Sequence, residues 1–319
     1  MRGYVGSKLI MVEGLTGSGK SIMAHFITRQ LHHNGIPASW VHEGEAPHPI
    51  ALDVGSDIED HMAQMRERWA AYVDQVGLSD EVKVVEACFF NNLIESLLAH
   101  NVDRPKIIQY ADELQTLLES LNPTLVYLVQ EDLDRALERN FKGRGKGFQN
   151  YVIQYATGTP FAKQREWEGY AGMVMFWREF VGLTDELFQR YRIRKLKIDN
   201  SAGNWDDYNR QVLECLSIEQ MPEPRVSQSE ALKLIGVYKD RSADKEFIVR
   251  YEDGQLTINL FWNVRTRLVR QTERVFLAEG WHFEVSFESD GVSGASAMKI
   301  GGRDVDYLSL VGVVGARRA

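Results

Sequence analysis

The octapeptide GLTGSGKS, from Gly14 to Ser21, limits what this chain can fold into more than any other stretch. It fits the pattern G-x-x-x-x-G-K-[ST] and lies between an apolar run, KLIMVEG (8–14), and an amphipathic one, SIMAHFITRQLHHNG (21–35). A strand, a glycine loop and a helix in that order are what a phosphate cradle requires. The glycines let the backbone curl closely round phosphate oxygens and offer them N–H groups, while the helix N-terminus adds partial positive charge. Lys20 is expected to reach the β and γ phosphates of a nucleoside triphosphate, and the Ser21 hydroxyl to hold magnesium. The expected nucleotide-binding set is Gly14, Thr16, Gly17, Ser18, Gly19, Lys20, Ser21 and Ile22. Such a loop specifies the phosphoryl donor and leaves the acceptor open.

The surrounding pattern predicts the class. Residues 8 to about 220 alternate short apolar runs with longer helical stretches, the mark of an α/β domain with a mostly parallel sheet. Expected strands are 8–14, 38–43, 83–89, 124–130 and 194–200, and the clearest helices are 21–35, 57–76 and 131–140. Pro222 and Pro224 then fall in a polar stretch, and Ser227 with Glu230 offers a capping box for a new helix. Past that point the apolar period becomes two, with turns expected at Asp253-Gly254 and Asp290-Gly291. The division predicted is 1–222 for the α/β domain and 226–319 for a small antiparallel β domain.

Composition removes several classes. With 44% hydrophobic residues among 319, the chain can bury one large core or two smaller ones. No run of eighteen apolar residues occurs, so no membrane span is expected. The opening MRGYVGSKLIMVEG reaches charge and glycine too soon for a signal peptide, which predicts a cytoplasmic protein. The formal charge of -8 disfavours a nucleic-acid surface. Cys88 and Cys215 stand far apart in apolar contexts and read as reduced thiols. The histidines His32, His33, His42 and His48 lack the spacing of a zinc site.

The run VEGLTGSGKS, with glutamate just before the first glycine, resembles the P-loop kinases of the thymidylate kinase and deoxynucleoside kinase group. That resemblance implies the three-layer P-loop NTPase fold, ATP as donor and magnesium as cofactor over residues 8–220. In VHEGEAP (41–47) it makes Glu43 the general base for the acceptor hydroxyl, with Glu45 as a substitute. In VVEACFFNN (84–92) it makes Glu86 the magnesium-side carboxylate. Ala87 stands where the family has an arginine that holds an acceptor's phosphate, which weakens the case for a nucleotide acceptor. Arg66 or Arg68 on the preceding helix could compensate, although an exposed helix face suits both better.

In QEDLDRALERNFKGRGKGF (130–148) the resemblance implies a helix leading into a mobile lid. Arg135, Arg139, Lys142, Arg144 and Lys146 would be its cations, Arg139 and Arg144 foremost, and Gly143, Gly145 and Gly147 would give it freedom. Asn200 to Gly203, after the fifth strand, would lie near the base of the nucleotide. The aromatic segment Phe148 to Arg192 suits either an acceptor pocket or plain core. The last residues, with LIGVYKD, IVRYEDGQLTINLFW and FESDG, resemble the small lipocalin-like β units that follow some β-lactamase-like and peptidase domains. Their role is left open between covering the substrate, a binding accessory, and a subunit contact that would make a homodimer. The expected function is an ATP- and magnesium-dependent kinase for the hydroxyl of a small molecule, nucleoside-like or antibiotic-like. The alternatives are a nucleotide-gated binding protein and a plain ATPase.

Overall fold

The apolar runs of the first two hundred residues form a single parallel sheet in a computed structural model, which describes residues 4, 6–52, 57–240, 245–260, 265–289, 294–303 and 314–317. Strands β1 (Leu9–Gly14), β2 (Ala38–Val41), β3 (Val82–Glu86), β4 (Thr124–Val129) and β5 (Arg194–Asp199) lie in the order β2-β3-β1-β4-β5. Every residue of β1 is buried, because both faces of a parallel sheet are covered by helices. Its side chains therefore feed two cores. Leu9 and Met11 pack with Trp69, Phe89 and Leu114 on one face, while Ile10 and Val12 pack with Met23, Ile27 and Val212 on the other.

The helices follow in chain order. α1 (Lys20–His33) leaves the glycine loop, and α2 (Ile58–Leu78) precedes β3. After β3 comes a π-helical turn, Phe90–Glu95, continued by α3 (Ser96–Ala99) and α4 (Arg104–Leu118). Between β4 and β5 run α5 (Leu133–Arg144), α6 (Lys146–Gly158), α7 (Pro160–Gln164) and α8 (Gly169–Arg190), and α9 (Trp205–Leu216) follows β5. No described helix is long and apolar enough to cross a membrane. From β1 the chain leaves toward β2, whereas from β3 it crosses to β4 on the other side. Such a switch opens a crevice at the carboxyl ends of β1 and β3, where open α/β sheets collect ligands.

The chain divides into two compact units, Met1–Glu43 with Pro47–Gln220, and Gly44–Ala46 with Met221–Ala319. The second contains the short helix α10 (Gln228–Ala231), started by the reciprocal Ser227–Glu230 capping box. Among the described residues, eight antiparallel strands pair in sequence order: β6 (Gly236–Asp240), β7 (Lys245–Glu252), β8 (Gln255–Asn259), β9 (Arg265–Arg270), β10 (Val275–Ala278), β11 (Phe283–Ser289), β12 (Ala295–Gly302) and β13 (Val314–Arg317). β13 pairs back onto β6 and closes a barrel. Asp253 and Gly254, at φ 52° and 79°, make the tight turn between β7 and β8. The turn expected at Asp290-Gly291 lies outside the described residues. Tyr238, Phe247, Leu256, Phe276, Phe283 and Met298 are fully buried in the core of this unit.

Three expected boundaries are corrected. β2 ends at Val41, short of the expected 43, and β3 at Glu86, short of the expected 89. Phe89 and Phe90 are apolar because they bury into the core from the turn after β3. The expected lid KGRGKG (142–147) is helical on either side of one break: Gly143 lies in α5, Gly147 in α6, and only Gly145, at φ 88° and ψ 174°, interrupts them. Leu137 and Phe141 before the break and Phe148 and Val152 after it all bury in one core, which holds both helices down.

Candidate functional site

Gly14, Gly17 and Gly19 all take positive φ, at 150°, 79° and 89°. Around them the loop is close-packed. A Cβ on Gly14 would stand 2.3 Å from the Leu128 carbonyl oxygen, one on Gly17 2.5 Å from the Asn140 amide, and one on Gly19 2.4 Å from the Trp205 ring. The Ser18 N–H donates to the Leu15 carbonyl at 3.0 Å. The side-chain amide of Asn140 donates to the Thr16 carbonyl at 3.4 Å, and that of Asn200 donates to the Ser18 carbonyl. α1 begins at Lys20 with no side-chain cap, so its first N–H groups are left for an external acceptor. Ile22 is exposed on that first turn.

Lys20 is buried, its Nζ donating to the Leu15 carbonyl at 3.3 Å. Beside it the Ser21 hydroxyl donates to Glu86 Oε1 at 2.7 Å, joining the start of α1 to the end of β3. Glu86 is fully buried, and its second oxygen accepts from the Trp40 indole N–H at 3.1 Å. His42 Nε2 approaches Oε1 at 3.9 Å. Burial first, and then the charge of Glu43, push the Glu86 carboxyl well above the usual range, while Ser21, Lys20 and Trp40 pull against that.

Two more carboxyls lie in the same neighbourhood. Glu13 is fully buried and accepts from the backbone N–H of Phe89 at 2.8 Å and of Phe90 at 3.0 Å. Burial raises its pKa to about 7 against the pull of those amides and of Lys20. Glu95, at the end of the π-helical turn, accepts from the Tyr155 hydroxyl at 2.7 Å and the Asn91 amide at 3.2 Å. It too is raised to about 7 by burial, opposed by Tyr155, Asn91 and Lys20. Sequence reading gave neither residue a role. The available signal was a carboxylate inside an apolar stretch, LIMVEG for Glu13 and NLIESLL for Glu95, since a charge among core residues must be paired.

Glu43 is exposed just beyond β2 and acts through its charge on Glu86, Glu95 and Arg144. Arg144 is half-buried, with its guanidinium 4.7 Å from the centre of the Phe148 ring. Burial lowers its pKa and Glu43 opposes that. The structure therefore brings Lys20, Glu43, Glu86 and Arg144 into one charged neighbourhood. Arg139 points elsewhere, donating to the Ser201 carbonyl at 3.0 Å from an exposed position. Arg135, Lys142 and Lys146 are exposed. Arg66 pairs with Glu113 at 3.3 Å on the surface, whereas Arg68 braces the segment after β2 through the His48 and Ala51 carbonyls at 3.3 and 3.1 Å. His48 accepts from the N–H groups of Ile50 and Ala51 and falls to about pKa 4, through burial and then the charges of Arg68 and His42.

Ala87, in the left-handed region at φ 55°, is buried. In the aromatic segment Phe148, Phe176 and Trp177 are core, while Tyr151, Tyr155 and Tyr170 are exposed. Among the described residues, no group of three or more His, Cys, Asp or Glu side chains could hold a metal ion by itself. The cysteines are unbridged, Cys88 buried and Cys215 half-buried. No model of a known protein family matches this sequence, and no curated protein matches it either.

Proposed function

We propose that this chain is an ATP- and magnesium-dependent kinase that moves the γ-phosphoryl group to the hydroxyl of a small molecule, on a three-layer core of the P-loop NTPase type. The observation that carries this reading is the hydrogen bond of 2.7 Å between Ser21 and buried Glu86, beside Lys20 and an uncapped helix start. A serine hydroxyl and a carboxylate are hard oxygen donors that suit magnesium, an ion that takes few protein ligands and keeps water and phosphate oxygens. Bound there, it would neutralise charge on the polyphosphate.

The chain's own groups account for the rest. The amides of the loop and of the first turn of α1 bind the phosphate oxygens, and Lys20 sets the β and γ groups. Glu43 accepts the proton of the acceptor hydroxyl as its oxygen bonds to the γ-phosphorus and the bond to the ADP oxygen breaks. Arg144, held near Glu43, stabilises the charge spread over the transferring oxygens. Arg139 has the weaker case, because its guanidinium already serves the turn after β5.

Labelled ATP incubated with the protein and a library of hydroxylated metabolites tests this. A labelled product is expected, lost with Lys20→Ala and reduced about a hundredfold or more with Glu43→Gln. Product formation that survives both changes sinks the assignment. Ala87 favours a second reading, a nucleotide-gated binding protein, which would bind ATP tightly and label nothing.

A further inference from the structure

A cavity of about 490 Å³ is lined by residues of the π-helical turn, α3 and the end of α6. Its size falls in the range of small-molecule sites, about 300–1,000 Å³. Leu52 and Pro160 give it apolar walls, and Asn91, Asn92, Ser96 and Tyr155 give it polar ones. No lysine, arginine, aspartate or glutamate is among its described lining residues.

Three of those polar groups have buried atoms without a partner in the protein: Asn91 Oδ1, Asn92 Nδ2 and Ser96 Oγ. An orphaned buried donor or acceptor costs about 1–3 kcal/mol, and these three belong to residues that line the cavity, so a ligand that draws the side chains toward it would relieve that cost. A π-helical turn, which is rare and concentrates at functional sites, carries both asparagines. Two lining residues, Tyr155 and Asn91, hold the Glu95 carboxylate, whose pKa responds to the charges of Lys20 and Glu43. The Asn92 N–H also donates at 2.9 Å to the carbonyl of Ala87, the residue after Glu86, so the π-helical wall of the cavity joins the end of β3 that carries the partner of Ser21.

Resting on the kinase reading above, we propose that this cavity is the acceptor subsite, and that it takes an uncharged molecule rich in hydroxyl, amide or ring N–H and carbonyl groups, never a phosphomonoester. Asn91 Oδ1 accepts from the acceptor molecule, Asn92 Nδ2 donates to it, and Ser96 Oγ does either. A phosphate there would lose hydration with no lysine or arginine beside it and only the His100 imidazole, which already meets the Ser96 carbonyl at 2.8 Å, to offset the loss. Ala87 agrees, since the end of β3 offers no guanidinium for such a group.

Gly158 gives a direct probe. It lines the cavity at the end of α6, and a Cβ on it would meet nothing within 4 Å, so Gly158→Phe fills the space without a clash at its first atom. The full-length protein is offered uridine, adenosine, myo-inositol and glucose, each beside its phosphomonoester, with labelled ATP. Binding is read independently by ligand-observed magnetic resonance. At least one neutral probe is expected to bind and to be labelled, and its phosphomonoester to do neither. Gly158→Phe should abolish that binding while ATP affinity stays within about twofold, and Ser96→Ala should raise the acceptor KM about tenfold with kcat held. Labelling of a phosphomonoester in preference to its neutral parent, or unchanged acceptor binding in Gly158→Phe, overturns the subsite and leaves the kinase reading standing. Neutral binding that Gly158→Phe removes, with no label transferred, supports the subsite and defeats the kinase reading. No binding by any neutral probe at millimolar concentration overturns the subsite.

Discussion

At Gly14 a methyl group would run into main chain, and at Gly17 only into the end of a side chain, so one motif contains glycines required for different reasons. The Gly14 Cβ would lie 2.3 Å from the Leu128 carbonyl oxygen, and Gly14 is paired in register with Leu128 in the sheet. Relief would require β1 and β4 to part. Gly17 would press on the Asn140 amide at 2.5 Å, a group that can swing away. Gly17→Ala is therefore expected to cost about 1–2 kcal/mol, mostly for a non-glycine residue at φ 79°. Gly14→Ala should cost about 3 kcal/mol or more, since strain between strands adds to the backbone penalty. Hydrogen exchange at the β1 amides under mild denaturant ranks the two, and equal losses would show that the Leu128 contact yields easily. The motif itself was plain in the sequence. Its partners Asn140, Asn200 and Trp205 were not, because they reach the loop from distant elements and nothing in their local pattern marks them.

The π-helical turn joins two carboxyls by its ends, Glu13 accepting from Phe89 and Phe90 at its start and Glu95 lying at its close. Both are raised from the ordinary 4.5 to about 7. A folded-state pKa above the unfolded one means that the folded chain holds the proton through that window. Stability from this source is full below pH 4.5 and is lost as the pH rises through 7, about 3 kcal/mol for each group. Glu95→Gln keeps an acceptor for Tyr155 and removes one titration. The unfolding free energy of the variant should fall less steeply across that window, by up to about 1.4 kcal/mol per pH unit. A pH profile parallel to that of the parent would mean that Glu95 is not the titrating group. Elements of this kind mark where sequence reading stops. Continuous apolar runs gave β1, β3 and β4, yet the same apolar signal in Ala87, Cys88 and Phe89 carried the expected third strand past its end at Glu86. Glycine spacing in KGRGKG suggested a loop, although Leu137, Phe141, Phe148 and Val152 carried a helical face across it. Of the site, Lys20, Ser21 and Glu86 were legible by motif and sheet edge, while Glu13 and Glu95 needed the packing to be seen.

Over the whole molecule, the change of apolar period near residue 220 separates two ways of building a core. The first unit covers a parallel sheet on both faces with helices, and the second closes antiparallel strands on themselves. The alternation in EFIVRYEDGQLTINL predicted paired strands and their tight turn, but closure depends on β13 meeting β6, a pairing across the full length of the unit that no local pattern encodes. Phe276 on β10 is fully buried and meets Phe287 edge-on, with centroids 5.7 Å apart at 82°. Truncating it removes both its burial and that aromatic pair, so Phe276→Ala is expected to destabilise the barrel by about 3–5 kcal/mol. Phe276→Leu, which keeps most of the volume, should cost much less. The difference is to be read as lost hydrogen-exchange protection in β9, β10 and β11, the strands that flank the cavity so created. If alanine and leucine leave those amides equally protected, the barrel interior repacks freely, and its stability lies in the hydrogen-bonded closure of the sheet more than in its aromatic core.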